Sequence, residues 1–369
     1  MPGGTGRYAV EVAGALAETA GAGDRVTGWT AWHRHTVDAQ VDGVRGPRRL
    51  PLPRRPLVAA WERGPLPGLR ADLVHAPTLL APLGGGAPVV VTIHDAVPWT
   101  HAETLTSRGV HWHRHMAERA ARTAAAIVVP TQAVATELVR HLLVRCQVVV
   151  IGEGVSGRLA RPADADARRS AHGVQAGGYL LTTATLEPRK GLDVLVRALA
   201  SPGAPALPLV VTGQAGWGQV DLSRLAADAG LPAGRVRALG RVSDADLAAL
   251  LGGAAVLVVP SRAEGFGLPV LEGMAAGVPV VTSDDPALVE VGGGATAITP
   301  VGDAAALATA LGRVVADEEL RRDLVRRGAA RAADFSWTIA ATRLWELYRE
   351  LATPPAGRGR GRVPGRAQD

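Results

Sequence analysis

Residues Val256 to Asp284 read VLVVPSRAEGFGLPVLEGMAAGVPVVTSD, and this stretch decides the fold. Val256 to Val259 is apolar and β-branched, the mark of a strand buried on both faces. Gly265 and Gly267 let the backbone approach a ligand closely. Pro269 suits a first helical turn, so the loop ends in a helix N-terminus whose N–H groups and dipole favour an anion. Val278 to Thr282 then reads as the next parallel strand. Strand, loop, helix and strand in that order place the loop at the carboxyl ends of an α/β sheet, the edge where such sheets bind ligands. Glu264 and Glu272 bracket the loop. A glycine-rich turn with solvated glutamates is the competing reading, and the ordered strand–loop–helix context weighs against it.

Composition supplies the second signal. Of 40 Lys plus Arg residues, only Lys190 is lysine. A chain so dominated by arginine keeps lysine where arginine will not serve, as a compact point charge on a slim stem. Lys190 sits in YLLTTATLEPRKGLDVL, read as a strand from Tyr179, a turn at Pro188 and a helix from about Gly191. Two cations at a helix start oppose the dipole unless an anion sits there.

The segments EGFGLPVLE (264–272) and EPRKG (187–191) together resemble the retaining, nucleotide-sugar-dependent glycosyltransferases of family four. The resemblance implies an α/β protein of GT-B architecture, two Rossmann-like, doubly wound parallel-sheet domains facing a cleft. It further implies that Glu264 lies beside the donor sugar and that the Gly265, Phe266, Gly267 and Leu268 backbone meets its hydroxyls. Glu272 would accept hydrogen bonds from the ribose diol, for which a carboxylate's two acceptor oxygens are suited. Arg189, Lys190 and the helix dipole at Leu268, Pro269 and Val270 would neutralise the donor diphosphate. His94, at the end of VVVTIHD, would contact the sugar near its reacting carbon. Gly4, Thr5 and Gly6 would approach the donor phosphate and acceptor, and Val242 the base. Many relatives carry glycine then arginine where this chain has Thr183 and Ala184, so one usual phosphate contact is missing.

Length and bulk composition agree with a large enzyme. The chain has 369 residues and 47% hydrophobic content, ample for two cores. Apolar runs fall short of the roughly 18 residues of a membrane span, and no charged-then-apolar signal segment opens the chain. A single cysteine, Cys146, excludes an intramolecular disulfide and reads as a core residue. These features predict a cytoplasmic protein. Residues 1–170 hold 20 Arg against 14 acidic residues, a net of +6, whereas the remainder is neutral. Arg45, Arg48, Arg49, Arg54 and Arg55 cluster in a proline-rich stretch, and Arg114, Arg119 and Arg122 share a helix with His111, His113 and His115. No zinc finger, RNA-recognition signature or helix-turn-helix accompanies them, so nucleic acid is not expected. A face for anionic membrane at the inner surface of the cell, or for a phosphate-linked acceptor, is the functional reading, beside that of a solvated basic surface.

The expected division is 1–165 for the acceptor-side domain, 166–335 for the nucleotide-sugar domain, a helix over 336–352 returning to the first domain, and a disordered tail over 353–369. Strands are predicted at Arg25–Thr30, Leu73–His75, Val89–Ile93, Ala126–Val129 and Val148–Ile151. They recur at Tyr179–Thr183, Leu209–Thr212, Val236–Leu239, Val256–Val259 and Val278–Thr282. The segment Gly157–Gln175 reads as the interdomain connection. An amphipathic helix is predicted from about Arg7 to Thr19 with Val10, Ala13, Leu16 and Ala17 inward. The glycine-rich Gly3–Gly6 comes with no strand before it, where the resemblance places the first strand of the sheet. The expectation is an N-terminal domain lacking that strand, with upstream coding sequence supplying about six to ten apolar residues.

Several motifs fail on context. Asp164-Ala-Asp166 and Asp244-Ala-Asp246 match a metal-holding aspartate pair, but the first lies in the connection and Ser243 with Asp246 resembles a helix cap. Gly152, Gly154 and Gly157 spell a dinucleotide fingerprint without a following helix, and His111 and His115 lack the glutamate of a zinc motif. Neither metal nor cofactor is expected, only a nucleoside diphosphate sugar as co-substrate and a sugar or lipid-linked acceptor. The function predicted is transfer of a hexose by a retaining route. Mannose from a guanosine donor is suggested by likeness of the 185–191 segment to bacterial mannosyl- and rhamnosyltransferases. A nucleotide-sugar epimerase of the same architecture, or a sugar-nucleotide-binding protein without turnover, remain alternatives.

Overall fold

The computed structural model describes residues 4–64, 69, 71–216, 218 and 220–352; the Thr353–Asp369 tail and Gly3 lie outside the described residues. In the C-terminal half, six strands form one parallel sheet: β7 (Leu180–Thr183), β8 (Leu209–Thr212), β9 (Val236–Gly240), β10 (Val256–Val259), β11 (Val280–Ser283) and β12 (Ala297–Thr299), numbered after six in the N-terminal half. Their spatial order is β12-β11-β10-β7-β8-β9. Strand order reverses between β7 and β10, so the crevice of a doubly wound sheet must open at their carboxyl ends. β10 shows why the sheet is covered on both sides. Val256 and Val258 face one core with Leu195, Val211 and Leu311, while Leu257 and Val259 face another with Leu250, Leu271 and Met274. Alternate side chains take opposite faces, and burying each one fully contributes about 1.5–3 kcal/mol.

The N-terminal half holds β1 (Thr27–Thr30), β2 (Arg45–Arg49), β3 (Val74–Ala76), β4 (Val89–Thr92), β5 (Ala126–Val129) and β6 (Gln147–Val150). Among the described residues they form two separate parallel sheets, β1-β2 and β3-β4-β5-β6. One face of β4 and β5 packs with the helix Ser107–Thr123 through Met116, Ala117, Ala120 and Ala121. The other is covered by Tyr8, Val12, Ala15 and Leu16 of the first helix, and by Trp337, Ala341, Leu344 and Tyr348 of the last helix, Trp337–Ala352. The last helix therefore packs on the N-terminal sheet and the first helix.

Several sequence expectations are corrected. The first helix begins at Gly4, so the glycine-rich segment is its opening turn, and its buried face is Tyr8, Val12, Ala15 and Leu16; of the expected set only Leu16 is buried. The proline-rich basic stretch contains a strand, β2, and a helix, Arg54–Arg63, held by Leu50, Leu57 and Trp61. The segment read as connection contains the helix Ala165–Ala171, because Ala165 and the buried Arg169 pack toward Asp244–Leu251, where Arg169 donates to the Ala249 carbonyl at 2.9 Å. β12 was missed; three residues with an exposed Ile298 carry no run of apolar residues.

Candidate active site

The turn after β7 and the loop after β10 meet at the strand-order reversal. Pro188–Lys190 forms a single tight turn, and Gly191, at φ +64°, leads into the helix Leu192–Ala200. Arg262 staples the two loops: its backbone N–H donates to the Arg189 carbonyl at 2.7 Å, and its guanidinium forks onto Asp193 at 2.8 and 2.7 Å. This brings Lys190 Nζ to 2.6 Å from Glu264 Oε1 and Arg189 Nη1 to 3.3 Å from Glu264 Oε2. Ser261 Oγ donates to Oε1 at 2.7 Å. Burial alone would raise the Glu264 pKa, but Lys190 and Arg189 outweigh it and bring it down to about 2. Burial draws the Lys190 ammonium below its ordinary value, Glu264 pulls it back, and Arg189 adds to the decrease.

From the loop, Gly267 at φ +89° turns the chain into the helix Leu268–Ala275. Gly265 has a reason the sequence did not reveal. A Cβ there would stand 1.7 Å from the His94 carbonyl oxygen, so the glycine admits the opposite lobe's backbone. Thr131 Oγ1 donates to the Gly265 carbonyl at 2.8 Å, and Glu290 accepts from the Gln132 and Ala133 N–H groups at 2.7 and 2.9 Å. Both are contacts between the two lobes.

His94 projects from the loop after β4. Its Nε2 lies 2.8 Å from the Pro77 carbonyl, an acceptor only, so Nε2 carries the hydrogen and Nδ1 faces Glu153 at 3.8 Å. Burial pulls the imidazole toward neutrality, but Glu153, the Pro77 carbonyl and Asp95 prevail and raise its pKa. Tyr8 packs edge-on against the ring at 4.7 Å. Glu153, itself buried, belongs to the Gly152–Gly157 segment whose glycines had suggested a failed fingerprint; nothing in that pattern marks the acid between them.

Glu272 lies at the far side of the same helix turn, buried, with Oε1 bonded to the Arg7 guanidinium of the first helix. Its Oε2 has no hydrogen-bond partner among the described residues. Burial raises the Glu272 pKa against the opposing pull of Arg7.

These groups line one cleft of about 380 Å³ between the lobes. Of the residues proposed from sequence, His94, Arg189, Lys190, Glu264, Glu272, Gly4, Thr5, Val242, Gly265, Phe266, Gly267, Leu268 and Pro269 line it. Gly6 and Val270 are not among its walls. Val270 is turned into the core by the helix, and its N–H donates to the Gly267 carbonyl at 2.8 Å, so neither atom set is offered to a ligand. Gly6 lies inside the first turn of its helix. Thr183 and Ala184 do face the cleft, where the extra phosphate contact was expected to be missing, and Arg7, Arg158 and Arg241 reach it unforeseen. In a chain of 39 arginines no single one stands out by sequence. The two aspartate pairs are otherwise engaged: Arg168 bonds Asp164 at 2.8 Å and Asp246 at 2.9 Å, and Ser243 Oγ caps the Asp246 N–H at 3.1 Å.

Residues 2–156 match the family model described as Glycosyltransferase Family 4, and residues 164–331 match Glycosyl transferases group 1. The chain is 37% identical over 177 residues to the O-antigen chain mannosyltransferase B of Escherichia coli, covering 47% of this chain and 46% of that one. It is 36% identical over 174 residues to the phosphatidyl-myo-inositol mannosyltransferase of Mycobacterium leprae, covering 45% of each. The match thus spans about half the length of these relatives. The fold is that of Anabaena HepE in complex with UDP and glucose, at a TM-score of 0.75 and 21% identity over 95% of this chain and 96% of that one.

Proposed function

We propose that this chain, which belongs to the family-four-like GT-B glycosyltransferases, transfers a hexose from a nucleoside diphosphate sugar to an acceptor hydroxyl with retention of configuration. One juxtaposition carries the reading. In a single cleft, a part-buried Arg189–Lys190 pair stands beside Glu264, and Glu272 keeps one buried carboxylate oxygen without a partner among the described residues. Two fixed cations suit a departing diphosphate, and a carboxylate oxygen suits a ribose hydroxyl. Electrostatic stabilisation aimed at the charge that develops on the leaving group is the largest contribution such a site makes. Lys190 is already desolvated and positioned by Glu264, so it need not reorganise as the bond breaks. His94, whose pKa Glu153 and the Pro77 carbonyl raise, lines the cleft from the opposite lobe. Among the described residues that line the cleft no side chain stands as an evident nucleophile, so the proposed attack is on the face the diphosphate leaves, assisted by its oxygens. We assign no metal to the site.

Mannose is the preferred sugar, supported by the mannosyltransferases among the relatives; HepE, bound to UDP and glucose, keeps a uridine donor under test. The acceptor is proposed to meet the N-terminal lobe, whose exposed Arg45, Arg48, Arg49, Arg54 and Arg55 suit an anionic membrane or a phosphate-linked acceptor. No described helix is long and apolar enough to cross a membrane. The test is a nucleotide-release screen over guanosine and uridine diphosphate sugars, with soluble and lipid-linked acceptors, followed by NMR of the product anomer. Acceptor-dependent release with a retained anomer is expected. Sugar conversion without any acceptor would indicate an epimerase, and donor affinity without release a binding protein.

A further inference from the structure

The two cations of the diphosphate end, Arg189 and Lys190, come from the same lobe as their carboxylate, Glu264. The cation that meets Glu272 does not: Arg7 belongs to the first helix, and the ion pair joins residues 265 positions apart across the cleft. The Glu272 side chain is 1% exposed and Arg7 31%, so the carboxylate is the sequestered partner and Arg7 reaches in from the rim. Arg7 bonds Oε1, and Oε2, itself buried, has no hydrogen-bond partner among the described residues, on a residue that lines the cleft.

We propose that Arg7 is a positioning residue of the nucleotide site, contributed by the opposite lobe, which holds Glu272 as an oriented carboxylate so that Oε2 can accept from a ribose hydroxyl. The inference rests on the reading of Glu272 as the ribose partner. Its physical basis is that a buried carboxylate without a cation takes up a proton and loses acceptor capacity. The charged groups around Glu272 are Arg7 from the first helix, Glu153 from the segment after β6, and Asp244 from the helix after β9. Both acids favour protonation, which makes Arg7 the one group among them that opposes it. Because Arg7 and Glu272 belong to different lobes, the ribose site is complete only where the lobes meet.

The test is calorimetry on the full chain with whichever of GDP and UDP binds it, the matching 2′,3′-dideoxynucleoside diphosphate, and pyrophosphate. Arg7→Ala should weaken the ribose-bearing nucleotide by roughly ten- to a hundredfold, the fold-change of a hydrogen bond to a charged group. It should leave the dideoxy analogue and pyrophosphate unchanged. The nucleotide affinity of Arg7→Ala should fall further as pH drops, since the raised Glu272 carboxyl then protonates at a higher pH. Arg7→Lys should restore part of the affinity and flatten that profile, and it serves as the folded control should Arg7→Ala prove unstable. Equal losses for all three ligands, no loss for the nucleotide, or tighter nucleotide binding in Arg7→Ala would each overturn the proposal. Glu272→Ala separates the two levels. If Glu272→Ala weakens the ribose nucleotide and its dideoxy analogue equally, the ribose reading itself falls; if it weakens only the ribose nucleotide and Arg7→Ala does not, only this inference falls.

Discussion

Glu264 and Glu272 begin and end one nine-residue stretch and line the same cleft, the first part-buried and the second buried, yet their surroundings push them in opposite directions. Glu264 is surrounded by cations of its own lobe, Lys190 and Arg189, and is held ionised at a pKa of about 2. Glu272 has one cation, lent by the other lobe, and burial keeps its pKa above the ordinary carboxylate value. A loop can thus carry one acid held ionised beside Lys190 and Arg189 and one whose carboxyl is raised beside Arg7. Environment, not residue type, sets which is which.

The comparison breaks hardest at Lys190. Lys190→Ala should lower turnover by roughly 10²–10³, about 2.7–4 kcal/mol of transition-state stabilisation, with nucleotide affinity falling less. Steady-state kinetics beside calorimetry checks it, and near-normal turnover in a folded variant would remove Lys190 from the chemistry. Arg189 and Ser261 remain as partners for Glu264, so the variant should still fold.

The acids themselves should separate by pH. Glu264 has a folded pKa near 2 against an ordinary 4.5, so its contribution is present above pH 4.5 and is lost as pH falls toward 2. That window is worth on the order of 3 kcal/mol. Glu264→Gln should erase this acid-side slope in denaturant titrations. Glu272 shifts the other way: its raised folded pKa favours the native state at low pH and costs stability as pH rises past the unfolded value. Glu272→Gln should therefore leave neutral-pH stability equal or greater while weakening nucleotide binding. The same sign of pH slope in both variants would contradict the contrast.

A gentler test moves the lobes. Gly265→Ala places a methyl group against the His94 carbonyl, where the nearest atom would be 1.7 Å away, so the lobes must part. Overpacking of this kind costs about 1–3 kcal/mol. X-ray scattering should show a larger radius of gyration, and because Arg7 then withdraws from Glu272, ribose discrimination should fall more than pyrophosphate affinity. Equal losses would show that the two ends of the cleft do not differ in their dependence on lobe contact.

Much of this architecture was legible in the chain. Four- and five-residue apolar strands at Val89, Ala126, Leu209 and Val256, separated by helical patterns, dictate parallel sheets because each strand must be covered on both faces. Lone Lys190 after Pro188 and the glycine loop between two glutamates marked the cleft wall. What escaped was local order without an apolar signature: β2 with its arginines, the helix Ala165–Ala171 inside a polar stretch, and the short β12. Gly6 and Val270 do not line the cleft because a motif names neighbours in sequence, whereas a helix turns successive residues to different faces.

The chain alone determined most of the elements and their parallel arrangement, since these follow from periodicity and from connections of a few residues. Only the tertiary structure decided that Arg7 reaches Glu272, that Glu153 faces His94, and that Gly265 is there for the opposite lobe's backbone. The first and third join residues of opposite lobes, and the second joins the segments after β4 and β6 of one lobe; a local pattern carries no information about separations that the chain between such residues leaves free.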